Sequence, residues 1–214
     1  RSEAGGGSVL FKKLFQQKEE EPQEPERGPM MISKFDTADV ETLTAAFERR
    51  RNIRLPDSYR RFLLKYNGGE TPNTVFSIGE VSSDLRALYG LGGAEPRWHF
   101  DKLGRRLSGF LKDGMLPVGE NAWGDAVALK ISGGGKGGVY FLYHDRPREF
   151  LPLTGDFLDF TAQCASKPLG HIRSVEERTA ALGSRGKTAT PELTAMWERE
   201  IAHLRSLHQE PVEF

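Results

Sequence analysis

The chain has 214 residues, 37% of them hydrophobic, which is room for one compact domain with extensions rather than for two large ones. Thirty basic and thirty acidic residues cancel, so the molecule lacks the overall positive field of a protein that neutralises a run of phosphates, and no direct nucleic-acid partner is expected. The single cysteine, Cys164, rules out an internal disulfide, and no apolar run reaches the roughly 18 to 20 residues that span a bilayer; with no secretory signal pattern either, a cytoplasmic protein without a membrane span is expected.

Residues 1–30 read as a disordered linker or tail, because Ala-Gly-Gly-Gly-Ser and the run Glu19–Glu26 with its prolines cannot bury enough apolar area to offset the entropy of ordering. Within it Val9–Phe15 is either a remnant ahead of a start at Met30-Met31, the preferred reading, or a short amphipathic helix that docks on a partner. The folded domain is expected over 31–170. Asp36 or Thr37 should cap a first helix carrying Val40, Leu43 and Phe47, with Arg49–Arg51 as its solvated end. A second helix should begin at Pro56, bury Tyr59, Phe62, Leu63 and Tyr66 at i, i+3, i+4 and i+7, and stop at Asn67-Gly68-Gly69, where Asn67 or Gly68 can turn left-handed.

Val75–Ile78 and Leu85–Gly90 read as two early strands, and 97–112 as an irregular helix interrupted by Gly104 and Gly109. Asp125–Ile131 and Gly138–His144 read as antiparallel strands at the centre of a sheet, joined by a glycine-rich loop, and Phe150–Leu153 as an edge strand that tolerates Pro152. A closing helix should start near Leu158 and hold Cys164 as an inert buried thiol beside Phe160. Residues 171–214 form a helical extension, with helices over 175–182 and 191–207, the second capped by Thr190 ahead of Pro191.

The residues that could carry chemistry are few. Gly133–Gly138 with Lys136 is not a phosphate loop, since a strand follows where the phosphate would need a helix N-terminus. The five histidines are scattered, with no paired spacing and no Cys or carboxylate cluster, so neither a metal nor another cofactor is expected. No Gly-x-Ser-x-Gly elbow or based cysteine supplies a nucleophile, and a non-enzyme is expected. What remains is a polar lip of Trp123, Asp125, His144 and Asp145 at strand ends. Trp123, between Asn121 and Gly124, is the strongest partner-contact candidate, because aromatics in loops anchor interfaces.

The Leu55-Pro56 helix with its Tyr and Phe-Leu positions, stopped by Asn-Gly-Gly, resembles the opening motif of the SUKH superfamily. Met115-Leu116-Pro117-Val118-Gly119 followed by Gly124-Asp125 and an apolar strand, then Gly138–Asp145, then Phe157–Phe160, are similar to its later segments in the same order, from about Phe35 to Lys167. The resemblance implies an α+β fold, a single domain with a mainly antiparallel sheet packed against helices, to which the C-terminal extension is added. It also implies a function: immunity by binding and neutralising a cognate bacterial polymorphic toxin, a nuclease or deaminase, through occlusion of its active site. The alternative it offers is a regulatory scaffold like the fungal relatives that act in cell-wall synthesis. Against a basic nuclease, Asp84, Glu95, Glu120, Asp125 and Asp145 would be the expected acidic contacts. A small-molecule or enzymatic site at the Trp123–His144 lip is a third possibility.

Overall fold

The segment after Leu55 folds as its pattern dictates. Tyr59, Phe62, Leu63 and Tyr66 are all 0–1% exposed, and Asn67 and Gly68 both adopt the left-handed conformation, with φ of 54° and 72°. Pro56 stands one position ahead of the helix rather than inside it. Glycine is required at 68, since a Cβ there would lie 2.4 Å from the Tyr89 carbonyl oxygen. Asn67 is buried and works with its side chain: Oδ1 accepts the Leu91 N–H, while Nδ2 donates to the carbonyls of Phe35 and Leu91. The stop signal of one helix is thus also the joint between an earlier segment at Phe35 and a later one at Leu91.

The computed structural model describes residues 26–214, and the expected Val9–Phe15 element lies outside them. In chain order the elements are β1 (Gly28–Pro29), β2 (Met31–Lys34), α1 (Val40–Arg51), α2 (Asp57–Tyr66), β3 (Gly69–Ile78), β4 (Val81–Leu88), α3 (Arg105–Lys112), β5 (Met115–Glu120), β6 (Ala126–Lys130), β7 (Val139–Leu142), β8 (Leu151–Thr154), α4 (Phe157–Gln163), β9 (Cys164–Ser166), α5 (Val175–Gly183), α6 (Pro191–Ser206) and β10 (Glu210–Pro211). The strands form one open sheet in the order β1-β9-β3-β4-β5-β6-β7-β8, with β2 beside the start of β3 and β10 beside β2, every named pair antiparallel. The fold is α+β.

The core lies between the sheet and α1, α2 and α4. Tyr59 and Phe62 meet Phe157 at ring separations of 4.9 and 5.1 Å, and Phe76 meets Phe141 and Phe160 at 6.0 and 5.3 Å. Edge-on and tilted aromatic pairs of this kind add about 0.5–1.5 kcal/mol each beyond their buried area.

Several expectations are corrected. Thr37 and Asp36 do not cap α1; they press against the Gly92–Gly93 turn, where a Cβ on Gly93 would sit 1.8 Å from the Asp36 carbonyl oxygen, and left-handed Asp39 opens the helix instead. The first early strand starts at Gly69, six residues sooner than its apolar run, because Pro72 and left-handed Asn73 break its alternation without ending it. The 97–112 helix is two 3-10 turns, Pro96–Trp98 and Phe100–Lys102, followed by α3; Gly104 at φ 54° separates them. Cys164 is not on the closing helix but on β9 opposite Phe76, and burial pushes its thiol up to about 12.

Both ends of the expected domain also move. Gly28 and Pro29 pair with Ser166 and Ala165, and Met30 is 2% exposed, so the fold starts before residue 31. At the other end the extension is tied in: Glu210 pairs with Ile32, the Glu213 N–H donates to the Tyr66 hydroxyl at 2.8 Å, and the Phe214 ring lies 5.7 Å from that of Phe62. Helices α5 and α6 form where expected, α5 with a reciprocal Ser174–Glu177 cap and α6 with the Thr190 hydroxyl accepting the Leu193 N–H.

Candidate functional site

The loop between β5 and β6 is a knot of short polar contacts. Asn121 Oδ1 accepts the backbone N–H groups of Trp123 and Asp125, both at 2.9 Å, and its Nδ2 donates to Asp125 Oδ2 at 2.8 Å and Ser83 Oγ at 3.0 Å. This is an Asx turn, the conformation an asparagine side chain favours when it bonds backbone two residues on. Gly124 takes φ 86°, which a side chain would strain, and its carbonyl accepts from Arg106 Nη2 at 3.1 Å. The Ala122 N–H is bound by Asp84 Oδ2 at 3.0 Å.

Asp125 is buried and draws β7's end onto the knot. Its Oδ1 accepts the His144 backbone N–H at 2.9 Å and lies 2.7 Å from His144 Nδ1. Burial pushes the Asp125 carboxyl up, but the His144 amide, the His144 imidazole and the Asn121 amide outweigh it and leave the carboxyl below its ordinary range. Beneath the loop, Glu120 accepts from the Tyr89 hydroxyl at 2.8 Å, Trp98 Nε1 at 3.1 Å and Arg106 Nη1 at 2.9 Å. Burial, against the pull of Arg106 and reinforced by Glu120, holds the Tyr89 hydroxyl well above its usual range.

One large group is left to solvent by this arrangement. Trp123 is 78% exposed, on a loop whose polar atoms are bound inward. The four expected contact residues therefore separate: Trp123 is presented, His144 is half-exposed with its ring on Asp125, Asp125 is a buried brace, and Asp145 is exposed outside the knot. Of the acidic residues expected against a basic partner, Asp84, Glu120 and Asp125 are spent within the chain. The Asn-x-Trp-Gly-Asp spacing was a readable signal for the Asx turn; nothing local pointed to Arg106 or Glu120.

Beside the loop, a groove of about 820 Å³ opens on the outer face of the sheet. It exists because β3 bulges: Glu70 to Thr74 covers four steps where the partner positions Ala87 to Leu85 cover two, so the strand bends away from β4 there. Ala122, the turn around Arg97 and Trp98, and the α6 residues Glu200, His203 and Leu204 close its sides. His203 Nε2 lies 2.8 Å from the buried carboxylate of Glu70, pinning α6 to the rim.

The arrangement sets an exposed aromatic beside an open groove. Among the described residues no three of His, Cys, Asp and Glu are placed to hold a metal ion, and no helix is long and apolar enough to cross a membrane. No curated protein and no solved structure matches the chain. A family model does: that of the SMI1 / KNR4 family (SUKH-1) matches residues 38–163, from the start of α1 to the end of α4 and across the whole Trp123 loop. With an antiparallel sheet and helices in the order that resemblance implied, the chain belongs to the SMI1 / KNR4 family, SUKH-1.

Proposed function

We propose that this protein is a non-enzymatic immunity protein, acting in a bacterial cytoplasm, that binds a cognate polymorphic toxin of nuclease or deaminase type and neutralises it by covering its active cleft. Membership of the SUKH-1 family is consistent with an immunity protein or a related regulator. The observation that carries the reading is Trp123, a large aromatic left 78% exposed by the Asn121 turn. Rigid exposed aromatics lose little entropy on docking and anchor interfaces. The test is to search the reading frame beside the gene for a toxin-like C-terminal domain and co-express it: host rescue by the full chain, lost on Trp123→Ala with a stable fold, is the expected result. Rescue that survives Trp123→Ala would move the interface elsewhere.

One observation favours the regulatory-scaffold alternative. Met196 on α6 is 48% exposed, beside a partly exposed Trp197, which gives that helix an apolar face of its own. A scaffold docking there would lose its host partner on Met196→Glu and be indifferent to Trp123→Ala.

A further inference from the structure

The groove beside the Trp123 loop carries four acids and four basic residues, and three of the acids are bound within the chain. Glu70 is held by His203, Asp84 by the Ala122 N–H, and Glu200 by Arg178 Nη1 at 2.7 Å. On the basic side, Arg27 donates to the Asn73 carbonyl at 2.9 Å. Arg86 and Arg97 are different. Their guanidinium carbons lie 5.9 and 4.5 Å from the centre of the Trp98 ring, both are exposed, and among the described residues neither meets a carboxylate. The ring beneath them is itself fixed, 3% exposed with its N–H given to Glu120. Stacking on an aromatic face orients a guanidinium while leaving its donor edge for a ligand.

We propose that this groove is the docking site for an acidic segment of the partner protein, its carboxylates paired with Arg86 and Arg97 and its apolar side chains laid on Val75 and Leu204. The inference rests on the reading of the chain as a protein-binding module and reverses the polarity expected of it: the partner, not this chain, brings the acids. Bidentate guanidinium–carboxylate pairs supply the specificity. The floor explains why a peptide fits better than a nucleic acid. Val75 and Asp84 are cross-strand neighbours, and Glu95 and Glu200 also line the groove, so a phosphate backbone with a charge at every step would meet these acids as well as the arginines. A peptide can place its carboxylates only where the arginines are. Trp123, next in the chain to the groove-lining Ala122, would add its aromatic anchor at the loop side.

Fluorescence anisotropy on the full chain tests this with a labelled peptide alternating Glu and Leu, the same peptide with Gln for Glu, and a single-stranded oligonucleotide. The Glu peptide is expected to bind, to weaken with salt, and to lose at least about tenfold in affinity in an Arg86→Glu/Arg97→Glu variant whose urea midpoint is unchanged. Arg61→Glu, an exposed change on α2, should leave binding as it was. Equal binding of the Gln peptide, or an oligonucleotide bound more tightly through the same arginines, would overturn the assignment. So would Glu-peptide binding that appears only once residues 1–25, with their own acidic run, are removed. If the toxin domain binds but neither arginine matters, the groove proposal fails while the immunity reading stands; if the peptide binds through Arg86 and Arg97 and no toxin is neutralised, the reverse holds.

Discussion

His144 closes onto Asp125 through two bonds to one atom: Oδ1 takes the His144 backbone N–H at 2.9 Å and stands 2.7 Å from its Nδ1. This joins the end of β7 to the loop that presents Trp123, across 19 residues of sequence. The carboxyl is held below its ordinary range in the fold, so it takes up a proton less readily there than in the unfolded chain. Its stabilisation is therefore complete above the unfolded value of about 3.9 and is lost as pH falls through the folded value. Asp125→Asn should cost about 1–3 kcal/mol near neutral pH, because its amide nitrogen must face a donor, either Asn121 Nδ2 or the His144 N–H, and should flatten the acid limb of stability below about pH 5. Urea midpoints against pH measure both; parallel acid limbs in variant and wild type would mean that Asp125 does not contribute through its charge.

Trp123→Ala should leave stability within about 0.5 kcal/mol, as for other exposed positions away from buried contacts. Partner affinity should fall by about 2 kcal/mol or more, roughly thirtyfold, as for a central interface aromatic. Calorimetric titration with the toxin domain, beside a thermal melt, separates the two. A variant that melts early would instead make Trp123 part of the fold.

The C-terminal strand should prove to be part of the domain. Val212 donates to the Met30 carbonyl at 2.8 Å, Lys65 Nζ reaches the Glu213 carbonyl, and Phe214 packs 6.3 Å from Phe157. Ending the chain at Leu207 removes all of these and bares Phe62, for a loss of about 3 kcal/mol or more, on the scale of an emptied aromatic site. A chemical denaturation curve checks it, and an unchanged midpoint would return residues 208–214 to the status of an appendage.

Tyr59 carries a polar atom that the core does not use. Its ring is fully buried between Phe62 and Phe157, among the described residues its hydroxyl has no hydrogen-bond partner, and burial raises that hydroxyl far above its usual range. Tyr59→Phe removes an unsatisfied group and keeps the ring, so it should leave stability unchanged or raise it by about 1 kcal/mol. A loss of more than about 1 kcal/mol in the urea midpoint analysis would show that the hydroxyl has a bonding role.

What could be read along the chain was what neighbours in sequence decide. The apolar stripe of α2, its stop at Asn67-Gly68, the Thr190 cap of α6, the β6–β7 hairpin and Pro152 at the sheet edge all depend on residues within one or two turns of each other, where period and capping act. The exposure of Trp123 was legible in the sequence, as an aromatic in a loop between Asn121 and Gly124. The roles within the lip of four residues were not, because whether a carboxylate faces a partner or a neighbour depends on which strands pair. Only the folded arrangement put Arg106 and Glu120 under the Trp123 loop, turned Asp125 inward, set Arg86 and Arg97 on one ring, and drew Glu210 back to Ile32. Two-residue strands such as Gly28–Pro29 and Glu210–Pro211 have too few positions to show an alternation, so their existence is decided by the unpaired edges that receive them. Family and architecture were thus written locally in this chain, while which polar groups turn inward and which stay exposed is a product of long-range pairing.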